Sequence, residues 1–215
     1  MHAVRGYATM TRRTRLHGRG LYAITAPHAD LLARAAAALR GGARLLQYRD
    51  KTRDDDRRLD EARALRALCV QHGTLLIIND DVQLAQACAA HGVHLGADDA
   101  DPLAARTVLG TGAIIGVSCY DDLDRAHHLA TLDVDYVAFG AFFVSPTKPD
   151  ARHATPELLR AAGALGLPRV AIGGITPDNG ALLIEAGADY LAVISGVFGS
   201  DDCEAAARRY ARLFP

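Results

Sequence analysis

Almost from end to end the chain alternates short apolar runs with longer amphipathic stretches, and this alternation constrains its fold more than any other feature. From Gly20 onward the apolar runs cover residues 21–25, 43–49, 74–78, 92–95, 113–117, 136–139, 169–172 and 190–194. Most are continuously apolar rather than alternating in and out, as parallel strands covered on both faces should be. Helical spacing fills the intervals: residues 30–40, a segment opening on Asp54, Asp55 and Asp56, then 81–90, 102–109, 121–132, 156–165, a segment from Thr176 towards Ala186, and 202–213. Gly41-Gly42 reads as a helix stop, and the three aspartates suit the positive end of a helix dipole. Thr176-Pro177 reads as an N-cap followed by proline at the first helical position.

Eight strand-then-helix units predict an α/β fold, a single (β/α)8 TIM barrel over residues 20–215, with an open doubly wound sheet as the competing arrangement. A chain of 215 residues, half of them hydrophobic, is long enough for one self-sufficient core. No linker or low-complexity stretch divides it. Residues 1–19 hold Arg5, Arg12, Arg13, Arg15 and Arg19 and no acid, so they read as a short, flexible, basic N-terminal tail outside the barrel. A formal net charge of −1 draws the protein to neither nucleic acid nor membrane. No stretch approaches the ~20 apolar residues of a spanning helix. Cys69, Cys88, Cys119 and Cys203 are scattered without a C-x-x-C pair, which fits a reduced, cytoplasmic setting.

In either architecture, chemistry gathers just beyond the carboxyl ends of the strands. The second run leads into Gln47-Tyr48-Arg49-Asp50-Lys51. Alternate side chains of a strand share a face, so Gln47, Arg49 and Lys51 project together into the mouth while Leu46 and Tyr48 face the helices. Two cations and an amide converging this way suit an anion such as diphosphate. The third run ends in Asn79-Asp80-Asp81 and the fourth leads to Gly96-Ala97-Asp98-Asp99, so neighbouring strands deliver carboxylates to one rim. Oxygen-only ligands favour a hard ion such as Mg2+. Read singly, Asp81 is equally a helix cap, and Asp98 and Asp99 are equally loop carboxylates. After the sixth run come Phe142-Phe143-Val144-Ser145-Pro146-Thr147-Lys148, whose hydroxyls and lysine suit a phosphorylated ligand and whose phenylalanines suit an aromatic one. Gly173-Gly174-Ile175-Thr176 and Ser195-Gly196 follow the last two runs, where many barrels bind phosphate through backbone amides. His94 reads as a core or supporting residue, and His127 and His128 lie on a helix face. No Ser–His–acid or Cys–His arrangement points to a hydrolase.

Taken in order and spacing, Gln47-x-Arg49-x-Lys51, Asn79-Asp80, Asp99, Gly116-Val117-Ser118, Ser145-x-Thr147-Lys148, Gly173-Gly174-Ile175-Thr176 and Ile194-Ser195 resemble the thiamine phosphate synthase family over residues 20–213. The resemblance implies a reaction in which 4-amino-5-hydroxymethyl-2-methylpyrimidine diphosphate joins a thiazole phosphate, or its carboxylated form, to give thiamine phosphate and diphosphate. It implies that Gln47, Tyr48, Arg49, Asp50, Lys51, Asn79, Ser118 and Lys148 meet the pyrimidine diphosphate. Ser145, Pro146, Thr147, Gly174, Ile194 and Ser195 would meet the thiazole phosphate, and Asp80 and Asp99 would hold Mg2+. Arg49, Lys51, Ser118 and Lys148 would carry the catalysis. The expected partners are these small molecules, with no nucleic acid or membrane, and a homo-oligomer is left open. Two departures stand out: Ala97 where the family commonly has glutamine, and Val144-Ser145 where it commonly opens the loop with Pro-Thr. A related thiazole tautomerase is the nearest alternative. It looks to a histidine shortly after the fifth strand, where this chain has Cys119-Tyr120. A non-catalytic thiamine-pathway sensor on the same barrel is the other.

Overall fold

The computed structural model describes residues 16–143 and 154–214. Its eight strands are β1 (Gly20–Ile24), β2 (Ala43–Tyr48), β3 (Leu75–Asn79), β4 (Gly92–Leu95), β5 (Ile114–Tyr120), β6 (Tyr136–Phe139), β7 (Arg169–Ile172) and β8 (Tyr190–Val193). All pair in parallel with their sequence neighbours, and β8 returns to β1, setting Leu21 beside Leu191 and Tyr22 beside Ala192. The closed ring excludes the open sheet.

Helices α1 (Leu31–Arg40), α2 (Asp55–Gln71), α3 (Val82–Ala87), α4 (Pro102–Leu109), α5 (Leu123–Ala130), α6 (Pro156–Ala161) and α7 (Gly180–Glu185) each follow one strand. After β8 come α8 (Ser195–Phe198) and α9 (Cys203–Ala211). Aspartate side chains cap several of them: Asp54, Asp81, Asp101, Asp122 and Asp202 each accept a backbone N–H from the first turn.

Strand alternation divides the apolar residues into two cores. Leu46, Tyr48, Leu76, Ile78, Val93, Leu95, Val117, Val137 and Phe139 point outward against the helices. Leu45, Ile77, Ile114, Tyr136, Ala138, Val170, Tyr190 and Ala192 point inward and fill the barrel. The one-residue register between Leu45 and Leu46, or Tyr136 and Val137, is the physical reason the runs look continuous in sequence.

Leu16 is 1% exposed and belongs to the inner core. Arg19 donates to the carbonyls of Ala188 (2.9 Å) and Ile184 (3.3 Å), and the Tyr190 hydroxyl donates to the carbonyl of His17 at 2.8 Å. The expected tail boundary at residue 19 is therefore too late. Residues from Leu16 onward close the amino-terminal end of the barrel, because an apolar side chain followed by a cation meets an apolar floor ringed by carbonyls. Residues 1–15 lie outside the described residues.

Two helix boundaries also differ from expectation. Thr176 does not cap α7. Its N–H is taken by the Asn179 side chain at 2.8 Å, that same side chain donates to the Gly174 carbonyl at 3.1 Å, and the helix begins at Gly180. Asn179 thus braces a turn that the Thr-Pro signal conceals. The single turn α8, starting directly at Ser195, has no signal in a four-residue window of sequence.

Candidate active site

The carboxyl ends of β2, β3, β4 and β5 bring the predicted polar residues to one rim. At the end of β2 the backbone is tied inward: Thr25 N–H donates to the Gln47 carbonyl, and Arg49 N–H donates to the Thr25 hydroxyl, both at 2.9 Å. Gln47 is buried and faces the barrel interior, where its amide nitrogen donates to the Tyr22 hydroxyl at 2.8 Å. Arg49 is half-buried, and Lys51 extends into solvent with its ammonium 3.8 Å from an Asp80 carboxylate oxygen.

The side chains of two neighbours of these residues are bonded within the protein. Tyr48 points outward, and its hydroxyl donates to Glu61 of α2 at 2.7 Å. Asp50 turns back to accept from Thr52 N–H at 2.7 Å and from Arg57 at 2.7 Å. Burial alone would raise its carboxyl, but the Thr52 bonds and the Arg57 guanidinium outweigh that and hold it below the usual range. Strand alternation explains Tyr48; the placement of Asp50 depends on Arg57, seven residues on, and is not visible in the local pattern.

Asp80 sits at φ 64°, a left-handed conformation for a residue with a side chain, and its N–H donates to the His94 carbonyl at 2.8 Å. Aspartate is among the few residues that tolerate this region. The twist turns its carboxyl towards Asp99, whose own Oδ2 accepts from Gly96 N–H at 2.6 Å. Burial, then the adjacent Asp99 carboxylate, push the Asp80 carboxyl up to about 6, while Lys51 and the Asn79 side chain pull against that shift. Two carboxylates held together with this much unrelieved repulsion form an all-oxygen donor set of the kind a hard divalent cation relieves. Asp81, by contrast, is a helix cap that accepts from Leu84 N–H and from Arg58, both at 2.8 Å.

On β5, Ser118 is half-buried at the mouth, and its carbonyl accepts from Arg125 at 2.9 Å. Its hydroxyl lies 2.9 Å from Nε2 of His94, a half-buried imidazole whose pKa is lowered to about 4 by desolvation. Behind His94 stand Tyr136 and Tyr22. In sequence these tyrosines read only as core residues of strands, and nothing there marks the polar string they form.

Tyr120 likewise carries no sign of this support in its sequence. It ends β5 at φ 55°, is 46% exposed, and its hydroxyl accepts from Ala97 N–H at 3.2 Å, tying β5 to the Asp99 loop. Backbone φ values of 104° and 62° account for the glycine pair at 173 and 174, since a side chain at either is strained. Beside that pair, after the neighbouring strand β8, Ile194 and Ser195 lead into the first turn of α8. Phe142 is buried among the outward-facing residues and Phe143 packs against the same layer, so neither forms the expected wall for an aromatic ligand. Ser145, Pro146, Thr147 and Lys148 lie outside the described residues.

A model of the family described as thiamine monophosphate synthase matches residues 21–197. The chain belongs to the thiamine monophosphate synthase family. A thiamine-phosphate synthase of Halorhodospira halophila is 56% identical over 191 residues, covering 88% of this chain and 91% of that one. Another, from Azoarcus sp., is 57% identical over 200 residues and covers 91% and 97% respectively. Among solved structures, thiamine phosphate pyrophosphorylase from Pyrococcus furiosus superposes with a TM-score of 0.84 at 32% identity, covering 94% of this chain and 96% of that one. The resemblance drawn from residues 20–213 therefore holds across the barrel. Membership in the synthase family makes the chain an enzyme, a transferase that forms thiamine phosphate. Among the described residues no helix is long and apolar enough to cross a membrane.

Proposed function

We propose that the barrel mouth couples 4-amino-5-hydroxymethyl-2-methylpyrimidine diphosphate to a thiazole phosphate by a dissociative substitution, in the cytoplasm. The bond between the pyrimidine methylene and diphosphate breaks as positive charge builds on the methylene and spreads towards the amino group. The thiazole nitrogen then donates its lone pair to form the new carbon–nitrogen bond. That nitrogen has no proton to lose, so no general base is required.

The observation that carries this reading is the meeting of Lys51, which shares the end of β2 with Gln47 and Arg49, with the Asp80 and Asp99 carboxylates that follow β3 and β4. Arg49 and Lys51 would stabilise the departing diphosphate as its charge grows, an electrostatic effect that strengthens as water is excluded. Asp80 and Asp99 would hold Mg2+, which when bound supplies neutralising charge to the diphosphate oxygens. Asn79 and Ser118 would orient the pyrimidine diphosphate, and Lys148 would add a third cation. Gly174, Ile194 and Ser195, with Ser145, Pro146 and Thr147, would seat the thiazole phosphate so that its nitrogen faces the methylene.

Purified protein mixed with both substrates and Mg2+ should give thiamine phosphate, read as its fluorescent thiochrome. Chelation should abolish the product. A folded protein that yields no product with either thiazole form would overturn the proposal.

A further inference from the structure

A continuous hydrogen-bonded string crosses the barrel interior beneath the mouth. Gln47 donates through its amide nitrogen to the Tyr22 hydroxyl at 2.8 Å, and the Tyr22 and Tyr136 hydroxyls are 2.9 Å apart. The Tyr136 hydroxyl lies 3.0 Å from His94 Nδ1, and His94 Nε2 lies 2.9 Å from the Ser118 hydroxyl. Ring packing fixes the string independently of its hydrogens. His94 stacks on Tyr136 with centroids 5.6 Å apart, and Tyr22 meets Tyr136 edge-on at 6.1 Å. Gly116 makes the room: a Cβ there would fall 1.9 Å from Cζ of Tyr136.

Counting hydrogens gives the string a direction. An amide nitrogen only donates, so the Tyr22 oxygen accepts from Gln47, and its single hydrogen goes to Tyr136. Tyr136, having accepted, passes its own hydrogen to His94 Nδ1. A ring nitrogen that accepts carries no hydrogen, so the neutral imidazole keeps its hydrogen on Nε2 and donates it to Ser118. Ser118 is left with a hydrogen that cannot go to His94. The orientation of one group decides all of this: turned end for end, the Gln47 amide would reverse every bond and make Ser118 the donor to His94. With the nitrogen committed to Tyr22, the Gln47 carbonyl is the end left for a ligand, and an acceptor suits the amino group of the pyrimidine.

We propose that this one-way string fixes Ser118 as a hydrogen-bond donor to the diphosphate-bearing substrate, with His94, Tyr136 and Tyr22 as positioning residues that act through it. The identity of that substrate rests on the synthase reading above; the direction of the string does not. A donor is what a leaving anion needs, and a serine turned the other way would present its lone pairs to negative charge.

Nitrogen-15 spectra of protein labelled in its imidazoles test the direction without any substrate. His94 should appear as the neutral Nε2–H form, assigned by the signal lost in His94→Gln or, should that variant not fold, by the signal that moves in Tyr136→Phe. A neutral Nδ1–H form would overturn the proposal. Kinetics test the consequence. Ser118→Ala should lower kcat on the order of 10²-fold with KM nearly unchanged. Tyr136→Phe should lower it about tenfold in the wild-type background but less than about twofold in the Ser118→Ala background. Losses that multiply in the double variant would refute action through Ser118, because a merely structural role operates whichever residue stands at 118. His94→Gln, which keeps an N–H for Ser118, should retain more activity than His94→Leu. If wild-type protein makes no thiamine phosphate, the synthase reading fails while the tautomer result stands by itself.

Discussion

Replacing Asp80 by asparagine should make the metal-free protein more stable at neutral pH while removing its activity. Burial and the neighbouring Asp99 carboxylate raise the Asp80 carboxyl from an ordinary 3.8 to about 6. A difference of roughly two pH units corresponds to about 3 kcal/mol at ~1.4 kcal/mol per unit. Since 34% of the side chain meets water, screening reduces this to roughly 1–1.5 kcal/mol. The folded state holds this proton more tightly than the unfolded chain does. Its contribution is therefore full below about pH 4 and is lost as pH rises through about 6. Asparagine tolerates the left-handed backbone as well as aspartate does, so no strain is added. In chelator at pH 7.5, Asp80→Asn should melt about 2–5 °C above wild type by the usual scaling for a domain of this size. The gap should close as wild type gains stability on acidification to pH 4, and Mg2+ should raise the melting temperature of wild type alone. Thermal melts at pH 7.5 and 4 decide the matter. A variant that melts below wild type at pH 7.5, or a gap unchanged at pH 4, would show that the two carboxylates do not repel in the folded protein.

Three further substitutions probe the supports of the site. Gly116→Ala drives a methyl group into the Tyr136 ring, which stacked and edge-on neighbours prevent from moving, and should cost about 3 kcal/mol in urea denaturation. An unchanged midpoint would mean that the ring has another place to go. Leu16→Ala should lower stability by about 2–4 kcal/mol, as for other buried leucines, whereas a residue of a loose tail would show no loss. Arg57→Ala leaves the Asp50 carboxylate, 2% exposed, without its cation. It should cost about 2 kcal/mol and raise KM for the pyrimidine diphosphate more than it lowers kcat, because the strand end carrying Arg49 and Lys51 loosens. Equal effects on both constants would refute that division.

The apolar runs at 92–95, 136–139 and 169–172 coincide with β4, β6 and β7 because buried parallel strands leave a signal in each residue. Arg49, Lys51, Asp80 and Asp99 are legible for a related reason: charged residues at or just beyond the ends of such runs have few places to be except the mouth. Legibility failed where a role depends on a distant partner. Nothing near Asp50 in sequence shows that Arg57 holds its carboxylate, and Thr176-Pro177 looks like a helix start although the helix begins after Asn179. Tyr22 and Tyr136 are apolar in a strand pattern, yet their hydroxyls meet across 114 residues of sequence. No periodicity reports such a pairing. The burial of Leu16 is hidden in sequence because five arginines in the first nineteen residues outweigh one leucine in any compositional window.

Closure of the barrel also sets a timetable. β1 finds its second partner in β8, Leu16 shares the inner core with Ile114, Val170 and Tyr190, and Arg19 waits for the carbonyls of Ile184 and Ala188. During synthesis, roughly 170 residues must follow β1 before its open edge can be covered, an interval of about 10–30 s at ordinary translation rates. Contacts this remote in sequence form slowly, and an unpaired strand edge is exposed to other chains for as long as they take. A chain cut short just before β8 would thus lose more than its last strand. It would release the floor laid by Leu16 and Arg19 and leave β1 open to pairing with a neighbour.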